Sequence, residues 1–150
     1  MTTLLFVCSG NTCRSPMAAC LFNALCRRDG CKELSAVSAG LNAVSGMGAS
    51  LGALHAMERR GLSLEEHRSR PVTRNLLESV QGVVCMSPEH KQRLLDTFPG
   101  VHPSVRSFSP AISDPYGGSD QDYEQTARAM EPQIAAIYDL FRAHLSQGKL

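Results

Sequence analysis

One segment near the start of the chain carries side chains whose types and spacing suit phosphate chemistry. It reads Cys8-Ser-Gly-Asn-Thr-Cys-Arg14-Ser15, so five residues separate a cysteine from an arginine. Consecutive backbone N–H groups of a Gly-containing loop form a nest that binds anions, and the guanidinium of Arg14 can donate two parallel hydrogen bonds to phosphoryl oxygens. The same positive surroundings favour the thiolate of Cys8, which is its nucleophilic form. The segment therefore predicts phosphoryl transfer through a phosphocysteine intermediate.

The other residues of this loop are candidates for holding the phosphate and the rest of the substrate. Ser15 can donate its hydroxyl to the Cys8 thiolate or to the departing phosphate, and the others are Ser9, Gly10, Asn11, Thr12 and Cys13. Two further roles stay open for Cys13, which either packs beneath the loop or traps an oxidised Cys8 as a reversible disulfide. A C-x5-R spacing also arises by chance, so the prediction depends on the elements on either side of it.

A phosphocysteine route also needs a proton donor for the leaving group. Asp114 opens the segment Asp114-Pro-Tyr-Gly-Gly118, whose Pro and Gly content predicts an exposed loop. An Asp before a Pro is equally typical of a turn with no catalytic role, so on spacing alone both interpretations stay open.

Hydrophobic periodicity places the cysteine loop between a strand and a helix. Leu4 to Cys8 is a nearly continuous apolar run, which is typical of a parallel strand covered on both faces. A helix is expected from Pro16 to Cys26, with Ser15 as its N-cap. Further strands are expected at residues 34–39, 82–87 and 105–109, and further helices at 49–60, 73–80, 88–98 and 123–145, the last bent or broken at Pro132.

The alternation of strands and helices predicts an α/β domain with a parallel sheet. Ligands of such sheets bind at the carboxyl ends of the strands, which is where the loop after Cys8 begins. A chain of 150 residues with 43% hydrophobic and 19% charged residues excludes wholesale disorder and fits one domain spanning residues 1–150.

The net charge and the lack of a targeting segment limit the classes of partner that we expect. A formal net charge of +1 gives no reason to expect nucleic acid as a partner. The N-terminus has no basic segment before its short apolar run, and no apolar stretch approaches the roughly 20 residues that cross a membrane. We therefore expect a cytoplasmic monomer that binds neither nucleic acid nor membrane.

The six cysteines bear on metal sites and on rival functions. Five of them lie within the first 31 residues, and their spacing fits neither a C-x-x-C pair nor a zinc finger. We expect no metal and no disulfide framework. Arsenate reduction would need further redox cysteines downstream, where only Cys85 lies, inside an apolar run. A sugar-transport phosphocarrier must retain its phosphate, so Arg14 and a general acid would be liabilities in it. A phosphoprotein-binding module has no reason to keep both Cys8 and Asp114.

The sequence resembles the low-molecular-weight protein tyrosine phosphatase family along its whole length. Val7-Cys-Ser-Gly-Asn-Thr-Cys-Arg-Ser-Pro-Met-Ala18 is similar to the family's phosphate loop, and Asp114 to Gly118 is similar to its general-acid loop. The resemblance implies a three-layer domain, with a four-stranded parallel sheet flanked by helices and the phosphate loop after the first strand. It also implies no cofactor.

The resemblance also implies roles for individual residues. Cys8 would be the nucleophile, Arg14 the ligand of the phosphate and of the transition state, and Asp114 first the acid and then the base. Asn11 and Ser15 would hold the loop and the thiolate, and Ser38 of Ser38-Ala39-Gly40 would support them together with His67. His67 is equally well interpreted as a surface histidine in a charged segment.

Thr12 and the Asp114 loop are similar to the protein arginine phosphatase branch of this family. Members specific for tyrosine usually carry an apolar residue where this chain has Thr12, and often two adjacent tyrosines where Tyr116 is followed by Gly117. Residues 41–48 contain no aromatic side chain, so Tyr116 is the one evident stacking wall for a phenyl ring. We therefore expect phosphoarginine in proteins as the substrate, with phosphotyrosine as the alternative.

Overall fold

The computed structural model describes residues 1–146. Its centre is a parallel sheet of four strands in the order β2-β1-β3-β4. The strands are β1 (Thr2–Cys8), β2 (Leu34–Gly40), β3 (Gly82–Cys85) and β4 (Ser104–Ser107). The next strand in the chain, β2, pairs with one edge of β1, and β3 pairs with the other edge. The carboxyl end of β1 therefore lies at the switch point of the sheet, where such folds bind their ligands.

Helices cover both faces of this sheet. They are α1 (Arg14–Arg28), α2 (Leu51–Glu58), α3 (Arg74–Ser79), α4 (Pro88–Thr97) and α5 (Asp120–Ser146). Because successive side chains of a strand point to opposite faces, Leu4 and Phe6 pack with α1, α2 and α5, whereas Leu5 and Val7 pack with α3 and α4. The predicted four-stranded parallel sheet flanked by helices is confirmed.

One local prediction was wrong, and one of the two outcomes expected at Pro132 is excluded. Ser15 is not the N-cap of α1, because the helix begins at Arg14 and its N-cap is Cys13. The Ser15 hydroxyl instead contacts Cys8 and Asn11, so its partners come from the preceding loop. Of the two outcomes expected at Pro132, a bend or a break, the break is not observed, since α5 runs from Asp120 to Ser146 as one helix.

Contacts between α2 and α5 fix the position of the segment that leads into α2. The Tyr123 ring lies against Gly52, where any added Cβ would overlap the ring. Arg60 forms ion pairs with Glu124 at 2.8 Å and with Glu131 at 2.9 Å. Hydrogen bonding to Arg60 lowers the pKa of Glu124 to about 2, so this carboxylate stays charged. The contact of Gly52 with Tyr123 holds the N-terminus of α2 against α5, and the Arg60 ion pairs hold the residues that follow its C-terminus.

No helix within residues 1–146 is long and apolar enough to cross a membrane. The same part of the chain contains no cluster of three or more His, Cys, Asp or Glu side chains able to hold a metal ion.

Candidate active site

The Cys8 thiol lies at the base of the loop that joins β1 to α1. Cys8 is buried, and its Sγ is 2.9 Å from Ser15 Oγ. The Asn11 backbone N–H donates to the same sulfur at 3.3 Å. The loop ends at Arg14, the first residue of α1, so the positive pole of the helix also points to this site. These donors stabilise a negative charge on the sulfur.

Asn11 fixes the curvature of the loop. It is fully buried and has a positive φ of 58°, a conformation that Asn tolerates better than most residues. Its Nδ2 donates to Ser15 Oγ at 2.8 Å and to Ser38 Oγ at 3.0 Å, and its Oδ1 accepts from the Arg70 N–H at 3.0 Å. Its carbonyl accepts from His67 Nε2 at 2.7 Å. Every polar group of the Asn11 side chain is therefore used to hold the loop.

His67 belongs to this supporting network. Burial lowers its pKa, the neighbouring Arg68 and Arg70 lower it further, and the hydrogen bond to the Asn11 carbonyl opposes them. A neutral imidazole with its proton on Nε2 satisfies that bond. Of the two interpretations of His67 that the sequence left open, the geometry favours the supporting one.

Arg14 connects the cysteine loop to the Asp114 loop. Its buried side chain donates through Nη1 to the Ile112 carbonyl at 3.0 Å, and its Nη2 lies 3.6 Å from Asp114 Oδ2. The Asp114 side chain is half exposed, and its Oδ1 accepts from the Tyr116 N–H at 3.1 Å. The structure thus brings together the three side chains predicted to be catalytic, which lie 106 positions apart at their extremes, from Cys8 to Asp114.

A cavity of about 400 Å³ opens above Cys8. Its floor is formed by loop residues that include Gly10, Asn11, Thr12 and Cys13, whereas its walls come from residues 42–50 and from Asp114 and Tyr116. The exposed aliphatic side chains Val44 and Met47 form one wall. Among the described lining residues, Tyr116 is the one aromatic side chain, and it is 75% exposed.

Two predicted binding residues, Ser9 and Ser15, lie outside the lining of this cavity. Ser15 contacts the sulfur of Cys8 from within the protein, and Ser9 Oγ contacts His90 Nε2 at 2.9 Å. Both side chains therefore hold the loop rather than face the cavity.

Ser50 and Tyr123 hold the far end of the loop and were missed by sequence reasoning. The Thr12 carbonyl accepts from the Ser50 N–H at 2.9 Å and from Ser50 Oγ at 3.2 Å. Cys13 Sγ lies 3.2 Å from Ser50 Oγ and 3.4 Å from the Tyr123 hydroxyl. Burial, followed by the contact with Cys13, raises the pKa of Tyr123 to about 12. The sequence signalled neither residue: Ser50 lies inside the helix predicted over residues 49–60, whereas in the structure α2 begins at Leu51 and Ser50 is its N-cap.

Comparison with known proteins identifies the family. The family described as low molecular weight phosphotyrosine protein phosphatase matches residues 3–147. The chain belongs to this family. The predicted resemblance is confirmed, and membership makes the chain a cysteine-dependent protein phosphatase that acts on phosphorylated proteins.

Similar proteins of this family are named either as arginine phosphatases or as tyrosine phosphatases. The chain is 35% identical to a protein-arginine-phosphatase of Bacillus subtilis, over 89% of this chain and 93% of the relative. It is 30% identical to the probable low molecular weight protein-tyrosine-phosphatase EpsP of Ralstonia nicotianae, over 94% of this chain and 97% of the relative.

Solved structures of the family share the fold. The YwlE arginine phosphatase, in a mutant with a phosphorylated active site serine, superposes with a TM-score of 0.88 and 31% identity, covering 94% of this chain and 96% of that one. The low molecular weight protein tyrosine phosphatase from T. tengcongensis gives a TM-score of 0.87 and 31% identity, covering 93% and 99%.

Proposed function

We propose that this phosphatase hydrolyses phosphoarginine side chains of proteins. The observation that carries the proposal is Thr12, a small polar side chain in the floor of the cavity. Val44 and Met47, which line the same cavity, are aliphatic, and among the described lining residues Tyr116 is the one on which a phenyl ring could stack. A guanidinium is planar like a phenyl ring but carries polar N–H groups, so a short side chain with a hydroxyl suits it better than a branched apolar one.

The arrangement of Cys8, Arg14 and Asp114 supports a two-step reaction. In the first step the Cys8 thiolate attacks phosphorus, the P–S bond forms as the P–N bond of phosphoarginine breaks, and Asp114 gives its proton to the leaving nitrogen. In the second step Asp114 takes a proton from water, which attacks phosphorus and releases inorganic phosphate and the Cys8 thiolate. Arg14 and the loop N–H groups bind the phosphoryl oxygens throughout.

The other loop residues keep this geometry. Ser15 donates to the thiolate at 2.9 Å and stabilises it as the leaving group of the second step. Gly10, Asn11, Thr12 and Cys13 contribute backbone N–H groups to the anion nest. Ser9 also belongs to the nest, and its side chain is held by α4.

The names of the relatives support two substrates. The Bacillus subtilis relative is a protein-arginine-phosphatase, whereas EpsP and the Escherichia coli protein Wzb are named tyrosine phosphatases. One observation favours phosphotyrosine in this chain, namely the exposed Tyr116 ring at the rim of the cavity. Thr12, together with a lining in which Tyr116 is the one aromatic side chain among the described residues, favours phosphoarginine over this alternative.

The test is kcat/KM on two peptides that differ only in carrying phosphoarginine or phosphotyrosine. Wild type should prefer phosphoarginine, and Thr12→Ile should shift the ratio towards phosphotyrosine by about 10–200-fold, the range of one apolar pocket contact. Thr12→Val is the matched control, because it removes the hydroxyl but keeps the shape. A wild type that prefers phosphotyrosine, or a ratio unchanged in Thr12→Ile, would contradict the proposal.

We also propose that residues 1–150 form one domain that works as a cytoplasmic monomer. All six cysteines are free thiols, which is the state that a reducing compartment maintains. One cooperative unfolding transition and a monomer mass in solution are the expected measurements. The sequence gives no reason to expect nucleic acid as a partner, and the absence of such binding stays a prediction.

A further inference from the structure

His90 contacts the cysteine loop although 81 positions separate it from Ser9. It is the third residue of α4, and its side chain is held at both ring nitrogens. Nε2 lies 2.9 Å from Ser9 Oγ, and Nδ1 lies 2.5 Å from Ser87 Oγ. His90 is 9% exposed, and no step of the reaction described above uses it.

The hydrogen bonds determine which nitrogen of His90 carries the proton. The Ser87 hydroxyl oxygen already accepts from the His90 backbone N–H at 3.1 Å. Among residues 1–146, the acceptor within reach of the Ser87 hydroxyl proton is therefore Nδ1 of the same ring. This arrangement favours the tautomer in which Nδ1 is unprotonated and Nε2–H donates to Ser9 Oγ. Burial, followed by the nearby cations Arg14 and Arg93, lowers the pKa of His90, while Glu89 and Asp114 oppose this; the balance favours the neutral ring.

Ser9 is the residue directly after Cys8, so holding it affects the start of the anion nest. Its carbonyl accepts from the Asn42 N–H at 2.9 Å, and its side chain is held by His90. Asn11 and Thr12 are held separately, by the Ser38 network and by Ser50. The loop is thus fixed at three successive points, and α4 supplies one of them.

We propose that His90 is a positioning residue that holds Ser9, and with it the first N–H groups of the loop, in the geometry that receives the phosphoryl group. This inference rests on the proposed role of residues 8–15 as the phosphate site. The chain Ser87 O–H to Nδ1, then Nε2–H to Ser9 Oγ, keeps both the ring and the serine in one orientation. The loop is then ordered before the substrate arrives.

A positioning role predicts a particular kinetic pattern. Without His90, the cost of ordering the loop falls on every phosphoryl species that binds, in the ground state and in the transition state alike. The KM should therefore rise together with the inhibition constant of inorganic phosphate, while kcat changes less. A residue that moved a proton in the reaction would lower kcat instead.

The experiment uses p-nitrophenyl phosphate as the substrate and inorganic phosphate as a competitive inhibitor. His90→Ala and Ser9→Ala should each raise KM and the phosphate inhibition constant about two- to tenfold, the effect of one lost buried hydrogen bond. The double variant should be no worse than the singles, because both remove the same bond. His90→Gln, whose amide can donate to Ser9, should recover most of the loss. The exposed His102→Ala is the control and should leave both constants unchanged.

Three outcomes would overturn the inference: losses that add up in the double variant, a His90→Gln no better than His90→Ala, or unchanged constants in Ser9→Ala. Unchanged constants in Ser9→Ala would overturn the inference even if His90→Ala does not fold. A failure of the proposed function looks different, since wild type would then fail to turn over the substrate or Cys8→Ser would retain turnover.

Discussion

Replacing Asn11 by Ala should be among the most destabilising single changes in the chain. The substitution removes three side-chain hydrogen bonds, to Ser15, Ser38 and the Arg70 N–H, in a fully buried position. At about 1 kcal/mol for each such bond, this loss amounts to about 3 kcal/mol. The positive φ of 58° adds about 1 kcal/mol, because Ala tolerates the left-handed region less well than Asn.

The total of about 4 kcal/mol is a large part of the 5–15 kcal/mol by which domains are usually stable. Asn11→Gly separates its two causes, because Gly loses the same hydrogen bonds but adopts a positive φ without strain. Asn11→Gly should therefore be about 1 kcal/mol more stable than Asn11→Ala. Asn42→Ala is the control: its side-chain amide lies on the surface, in contact with Arg93, and its loss should cost less than about 0.5 kcal/mol.

Urea denaturation of the four proteins gives the free energies of unfolding. The reasoning fails if Asn11→Ala lies within about 1 kcal/mol of wild type, since the buried network would then contribute little net stability. It also fails in part if Asn11→Gly is no more stable than Asn11→Ala, because the positive φ would then carry no cost. Turnover of p-nitrophenyl phosphate by the folded fraction should fall in both variants, since both lose the side chain that positions the backbone N–H donating to Cys8 Sγ.

Three further predictions follow from the site. Asp114→Asn should slow turnover of phenyl phosphate about 10²–10⁴-fold and that of p-nitrophenyl phosphate much less, because a good leaving group needs less protonation; equal losses would remove Asp114 from the acid role. Burial lowers the pKa of His67, so the unfolded chain binds its proton more readily, and stability should fall as the pH drops below about 6.5. Urea titrations should show a weaker pH dependence in His67→Gln, and parallel curves would refute this. Cys13 Sγ contacts Ser50 and Tyr123, which favours packing over redox trapping. Wild type and Cys13→Ala should therefore recover equally with dithiothreitol after peroxide, and better recovery of wild type would restore the trapping role.

The elements of the fold were predictable where burial leaves a clear pattern. The runs that form β1 and β3 are buried along nearly their whole length, so they are largely apolar, and only Thr2 and Thr3 of β1 depart from the pattern. The strand β4 is largely half-buried and short, which explains why its predicted bounds were displaced. The N-terminus of α1 was misplaced because a Ser before a Pro is the usual capping signal, whereas here the Ser15 hydroxyl is used by Cys8 and Asn11.

The site was predictable to the extent that its residues are neighbours in the sequence. Cys8 to Ser15 share one loop, so their types and spacing carry the chemistry directly. His90 and Ser50 reach that loop only through the packing of α4 and α2, and nothing in the spacing of either residue indicates the contact. The group that holds Arg14 is the backbone carbonyl of Ile112, and every residue has such a carbonyl, so the residue type does not indicate the contact. Residues that hold a site from another element therefore need the structure.

Some loop side chains hold the loop in shape, whereas others line the cavity. This difference explains why Thr12 is the position to change for substrate selectivity. Asn11, Ser9 and Ser15 use their side chains to hold the loop, so replacing them alters phosphate binding for every substrate. Thr12 is held through its carbonyl by Ser50, and the residue lines the cavity, where its hydroxyl lies 3.7 Å from Cys13 Sγ. A substitution there changes what the leaving group meets while the N–H groups of the nest stay in place. Selectivity can therefore vary at this position at little cost to the phosphoryl chemistry.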